Sequence, residues 1–237
     1  MNLDSVILYI SQTPLTWILL TLGAFKIGII IYEKAGKNAF LQPIIIAYVI
    51  LLPILLLFNI EYEKYFKSVE IIHFFLGPAT VALALPLYKN FNYIKSMFFP
   101  VLITLLIGGA FSILSAVAIL WIFDAQMSTI LSMTTKSITA PIAVVTSKQV
   151  GAIPSLALGF VIITGVVGAI FGNLVFKIMG VKSDIAKGFA LGLISHAIGI
   201  ARAIEISGKA TAFGALGMGL FGIAAAILLP IIISIFT

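Results

Sequence analysis

Apolar runs of about the length that spans a bilayer follow one another along this chain, separated by short polar links. They fall at roughly 15–32, 40–58, 71–88, 96–123, 129–147, 153–176, 186–204 and 211–236. In hydrocarbon every backbone N–H and C=O must be satisfied inside the protein, which leaves helices or a closed barrel. These unbroken runs lack the alternation of barrel strands, so helices are required. A soluble fold is excluded by quantity: 62% of the residues are hydrophobic and 9% charged, against about half and about a quarter in an ordinary soluble domain. No link is long enough to form a soluble domain. The sequence therefore predicts an all-α integral membrane protein, a single transmembrane domain over 1–237 with about seven or eight apolar segments.

The formal net charge of +6 fits lysines that hold topology from short loops better than a nucleic-acid surface. The absence of cysteine excludes disulfides, thiolate metal sites and a thiol nucleophile. The first fourteen residues carry no Lys or Arg and include Asp4, so a charged signal-peptide n-region is missing and the first span, about Leu15–Ile31, is expected to be kept.

Loop charges test the topology. Lys34 and Lys37 make the first loop basic, Glu61, Glu63 and Glu70 outweigh Lys64 and Lys67 in the second, Lys89 and Lys95 mark the third, and Asp124 the fourth. That alternation gives an outside N-terminus and four crossings. It then fails: if 129–147 and 153–176 both cross, the most basic loop (Lys177, Lys182 and Lys187 against Asp184) lands outside. A segment that enters and leaves on one side repairs the count. Thr134–Ser147 is the best candidate, with a broken 71–88 segment as the runner-up.

A shift of 118 residues lays Pro78 on His196, 40–58 on 158–176 and 15–32 on 133–150. It predicts two inverted-topology halves, about 1–120 and 121–237, with broken or re-entrant helices, as in transporters built from inverted repeats.

Three segments carry helix-breaking or polar residues. Gly77-Pro78-Ala79-Thr80, with Pro86 beyond it, is expected to unwind, or else to be a kinked packing helix, because each proline withholds a backbone N–H. Thr134-Thr135-Lys136-Ser137-Ile138-Thr139-Ala140-Pro141 places a cation in an apolar run, at about 2.5–3.5 kcal/mol on insertion scales. Lys136, Ser137 and Thr139 are candidate ligand residues and Pro141 a helix breaker. In the third segment Ser195, Gly199, Arg202 and Glu205 share a helix face. A break at Gly199 would bring His196, a proton carrier near neutral pH, alongside Arg202, which can grip a carboxylate. The competing readings are a snorkelling Lys136 and an Arg202–Glu205 pair at the membrane edge. Gly168, Gly172, Gly188 and Gly192 permit close helix contact. No phosphate loop, zinc motif or hydrolase triad is present, so the chain is not expected to be an enzyme or to hold a metal or cofactor.

These blocks carry a resemblance. Thr135-Lys136-Ser137-Ile138-Thr139-Ala140-Pro141-Ile142-Ala143 with Gly151-Ala152-Ile153-Pro154, then Ser195-His196-Ala197-Ile198-Gly199-Ile200-Ala201-Arg202-Ala203, and Leu76 to Tyr88, resemble three blocks of the LrgB/CidB family in order over nearly the whole chain. Ala140 and Ile200 stand where that family has Thr, and Ala197 where it has Gly. The resemblance implies a bacterial inner-membrane protein of antiholin-like or murein-hydrolase-exporter type, with a small LrgA/CidA-type membrane partner. A related plastidial protein carries glycolate and glycerate, and bacterial relatives are linked to pyruvate. The resemblance joins the residues in favouring a carrier of small monocarboxylates. Lys136 and Arg202 would bind the acid, Ser137, Thr139 and Ser195 would hydrogen-bond it or a coupling ion, and His196 or Glu205 would move a proton. A homodimer is expected. The rival reading is a holin-like or antiholin-like protein that regulates murein hydrolases and lysis, assembled through glycine-rich faces.

Overall fold

The computed structural model describes residues 13–236, apart from the side chains of Leu76, Thr80 and Phe236; Asp4 lies outside these residues. Every regular element among them is helical. Two compact units divide the chain, Met1–Ala82 and Leu83–Thr237, a boundary that does not coincide with repeat halves meeting near 120.

In the first unit α1 (Pro14–Lys34) and α2 (Pro43–Leu57) each open on a proline, whose missing N–H has no intrahelical partner to lose in a first turn. They pack antiparallel through Ala24, Ala47 and Leu51. The backbones approach closely, because a Cβ on Gly28 would lie 2.6 Å from the Pro43 carbonyl oxygen. Helix α3 (Tyr62–Ser68) lies against the start of α1, with Tyr65 edge-on to Trp17 and its hydroxyl 2.9 Å from Thr21 Oγ1.

The segment expected to unwind around Pro78 is helical. Short helices α4 (Glu70–Phe74), α5 (Leu76–Ala82) and, in the second unit, α6 (Ala84–Lys89) follow one another with one helical-region residue, Phe75 or Leu83, at each joint. Pro78 and Pro86 fall in the first turns of α5 and α6, and the helix is interrupted three residues before each, because a proline has no N–H to give the Phe74 or Ala82 carbonyl. The Thr80 side chain is outside the described part.

The second unit continues with α7 (Phe91–Ser96), α8 (Phe98–Ile122), α9 (Met127–Thr134), α10 (Ala140–Gln149), α11 (Pro154–Ile178), α12 (Asp184–Ile206) and α13 (Gly208–Phe236). Helices α8, α11 and α13 are long and apolar enough to cross a membrane. Helices α8 and α13 run the same way. A Cβ on Gly109, near the middle of α8, would meet the Phe221 ring at a matching position in α13, and Lys209, at the start of α13, sits 4.9 Å over the Tyr93 ring just before α8.

Between α8 and α11 the chain turns back on itself. The Ile153 N–H donates to Ser132 Oγ at 3.0 Å. In one continuous helix these positions would stand about 30 Å apart. Helices α9 and α10 are therefore the legs of a re-entrant hairpin with its tip at 135–139, as the loop charges require.

A second hairpin was not anticipated: 186–204 reads as a span, and it does not cross. His196 has φ 42° and ψ −132°, outside any helix, and divides α12 into an entering leg, 184–195, and a return leg, 197–206. Backbone contacts pair Gly188 with Ala210 and Gly192 with Gly214, so the entering leg and α13 are parallel. The return leg must then run back about 12 Å to reach the start of α13. A Cβ on Gly214 would touch both Gly188 O, at 3.1 Å, and Ala203 Cβ, at 3.5 Å, so the two legs lie side by side. Their setting is proteinaceous: 56% of the Asp184–Ile206 window is buried, against 22% or less in the other candidate spans.

The hairpins enter from opposite ends. The end where α8 and α13 begin carries Lys89, Lys95, Lys177, Lys182, Lys187 and Lys209, and the other end Asp124 and Lys148. The lysine-rich end is cytoplasmic by the positive-inside rule. The 118-residue shift sets the uninterrupted α1 over the broken 133–150 segment, and thus does not describe this arrangement.

Two outcomes check this topology. The chain has no native cysteine, so Asp184→Cys and Ser207→Cys can be labelled singly. Both should react with an impermeant maleimide from the same membrane face, whereas a crossing would put them on opposite faces. Gly192→Val should destabilise the chain by about 1–3 kcal/mol or more through overpacking on Gly214. Gly219→Ala, which meets open space, should be neutral or slightly stabilising in thermal unfolding.

Candidate functional site at two opposed hairpin tips

The first tip is built from a helix end and a helix start. Helix α9 stops at Thr134, and α10 starts at Ala140 with Thr139 as an extended N-cap and Pro141 in the first turn. Pro141 is therefore a helix starter here, not the breaker of a continuous helix. Thr135 and Ser137 are buried, and Thr135 Oγ1 donates to the Ser132 carbonyl at 2.9 Å. Lys136 Nζ donates to Ser112 Oγ at 2.7 Å and to Ser137 Oγ at 3.0 Å. Ser112 lies near the middle of α8, so the ammonium group is held at mid-span depth and does not reach for the surface. Thr139 makes no side-chain cap bond. Ser112 was missed by sequence reasoning, although a hydroxyl centred in the apolar 96–123 run was a signal.

The second tip is Ser195-His196. The His196 Nε2 lies 2.9 Å from the Val161 carbonyl. A carbonyl only accepts, so Nε2 carries the hydrogen. Ser195 is 1% exposed, and its Oγ has no hydrogen-bond partner among the described residues. Glycines on one stripe of α11 admit this tip: a Cβ on Gly165 would lie 2.7 Å from His196 Cε1, and one on Gly168 would overlap Ser195 Oγ. The expected break at Gly199 is displaced to His196. Gly199 instead lets the return leg press against the Leu191 carbonyl of the entering leg.

The tips reach one depth. On α13, Gly217 faces the Phe189 carbonyl and Leu193 N–H of the second hairpin, and Gly222 faces Ile142 of the first, about 7.5 Å apart along the helix. Ile138 and Leu193 belong to the same apolar core. The return leg α10 and the return leg 197–206 each begin at their tip, so both helix N-termini, with their partial positive charge, point to mid-depth.

Arg202 and Glu205 do not sit at a tip. They pair with each other on the return leg, the guanidinium Nη1 donating to the Glu205 carboxylate. Arg202 lies about 9 Å from His196 toward the base of the hairpin, and its charge is met there by Glu205. The structure thus brings Lys136 and Ser137 together with Ser112, and Ser195 with His196, and sets Arg202 and Glu205 apart.

The LrgB-like family model matches residues 21–235. The chain is 32% identical over 219 residues to the holin-like protein CidB of Staphylococcus epidermidis, covering 92% of this chain and 95% of the relative. An uncharacterized protein, YxaC, of Bacillus subtilis is similar to the same extent over the same shares. The antiholin-like protein LrgB of Bacillus cereus is 30% identical over 220 residues, 93% of this chain and 96% of the relative. No solved structure matches.

The second tip yields a prediction. Both His196→Gly and His196→Ala lose the Val161 bond, but only glycine relieves the positive-φ strain, which alanine keeps. His196→Ala should therefore unfold more easily than His196→Gly by about 1 kcal/mol in thermal or denaturant unfolding.

Proposed function

The chain belongs to the LrgB-like family, and from that premise we propose that it governs membrane permeability as a holin-like or antiholin-like protein. It is a multi-pass cell-membrane protein with apolar helices long enough to cross. The names of its relatives support the reading. The packing favours one form of it. A wide lesion assembled from many copies would use free small-residue faces, yet Gly188 and Gly192 are spent on α13, and Gly165, Gly168 and Gly172 on the second hairpin. Permeability would then be controlled through the fold itself, with the two tips as gates, and with regulation of murein hydrolases as a downstream effect.

One observation favours a second reading: the Lys136 ammonium held on Ser112 and Ser137 at mid-span. A desolvated cation beside two helix N-termini suits a small organic acid of the glycolate, glycerate or pyruvate kind. In that reading the tips open alternately, the first to the outside and the second to the cytoplasm. Arg202 and Glu205 steady a hairpin base and do not touch the acid.

Reconstitution of the full chain in liposomes separates the two. A carrier gives saturable uptake of labelled glycolate or pyruvate that falls at least about ten-fold with Lys136→Gln, the scale of one lost charged hydrogen bond, and is unchanged by Lys148→Gln. Non-saturable release of entrapped dyes, insensitive to Lys136→Gln, would remove the carrier reading and leave the holin-like one.

A further inference from the structure

The cytoplasmic end of the second unit holds a cavity of about 400 Å³ that neither tip uses. It lies between the last turns of α11, the link beyond it and the base of the second hairpin. Asn173, Phe176, Lys177, Val181, Lys187 and Ile206 line it.

Its chemistry is divided. Asn173 and Lys177 are four residues apart on one face of α11, so an amide and an ammonium lie in line. Lys187 faces them from the first turn of α12, where a cation adds to the positive helix end instead of opposing it. Its one acidic neighbour, Asp184, is 3.9 Å away, at the outer edge of an ion pair. The other wall is Phe176, Val181 and Ile206. Two ammonium groups, an amide and a helix N-terminus, together with apolar side chains in one lining, fit a group that is anionic at one end and greasy at the next. A soluble anion makes no use of the apolar wall.

We propose that this cavity binds the phosphate headgroup of an anionic phospholipid from the cytoplasmic leaflet. Lys177 and Lys187 hold the phosphate, Asn173 hydrogen-bonds a phosphate or glycerol oxygen, and the acyl chains lie along Phe176 and Ile206. The position gives the lipid a structural consequence. Phe176 and Ile206 also pack on Leu191, Ala203 and Ala210, which join the entering leg, the return leg and α13. A bound lipid therefore steadies the base on which the second hairpin stands. The inference holds under either reading of the chain's function.

The test uses the full chain in nanodiscs of phosphatidylcholine with and without phosphatidylglycerol. Retained lipid is counted by mass spectrometry and stability is read by thermal unfolding. Phosphatidylglycerol should be retained in preference and should raise the unfolding temperature. Lys177→Gln/Lys187→Gln should lower its retention on the order of ten-fold or more. Lys177→Gln alone, at an exposed position with no packing role, should lower it by a smaller factor. Lys182→Gln, in the same loop but outside the cavity, should change nothing. Equal retention in wild type and both Lys177 variants, or equal loss in Lys182→Gln, would overturn the proposal. Full stabilisation by millimolar inorganic phosphate in pure phosphatidylcholine would assign the cavity to a soluble phosphate and overturn the lipid assignment.

Discussion

Backbone hydrogen-bonding groups have no partner in hydrocarbon, and that single constraint decides where this chain may interrupt a helix. Both true breaks, at 135–139 and at His196, are enclosed by the second unit, with Thr135, Ser137, Ile138, Ser195 and His196 all buried. The prolines with mostly exposed surroundings behave otherwise. Pro78 and Pro86 sit in first turns of helices that restart after a single helical-region residue, so the chain keeps its helical course through both joints.

The same constraint explains the glycine pattern. A break costs partners unless neighbouring backbones come close, and close approach needs residues without side chains. Gly165, Gly168 and Gly172 form one stripe on α11 that receives the second hairpin, and Gly188 and Gly192 seat its entering leg on α13. These motifs look in sequence like oligomer faces. They are consumed inside one chain, because a hairpin buries two helical legs against helices that would otherwise face lipid.

Much of the helical class and one of the two hairpins were legible. The first hairpin announced itself because its tip is polar: Thr134 to Thr139 cannot pass as a span. The second was hidden because its legs add up to a span's length and hydropathy, and its tip, Ser195-His196, is only two residues wide. Its signal was present at a different shift. Moving by 58 residues lays Ser137 on Ser195 and Ile142-Ala143 on Ile200-Ala201, tip on tip and return leg on return leg. The 118-residue shift instead lays Pro78, at an interrupted helix, on His196. Lys136 was legible as a costly buried cation, but its partner Ser112, 24 residues away, needed coordinates. Spacing alone put Arg202 on one stripe with Ser195, and the bend at His196 separates the two.

The two tips are unequal in how they are held, and this bears on which of them moves. The first is tied by several bonds: Lys136 to Ser112 and Ser137, Thr135 to Ser132, and Ser132 to Ile153. The second has one side-chain bond, from His196 to a Val161 carbonyl in the interior of a helix, worth about 1 kcal/mol net. Against it stand a non-glycine residue at φ 42°, at about 1–3 kcal/mol, and the unmet hydroxyl of Ser195. Strain at this tip outweighs its one bond, so what holds it is the packing of its legs on α11 and α13. A hinge held in that way yields to small changes at its base, which is where α11, both legs and the start of α13 converge on Leu191, Ala203 and Ala210. If the tips act as gates as proposed, the second hairpin is the one whose closure rests on packing at its base rather than on bonds at its tip.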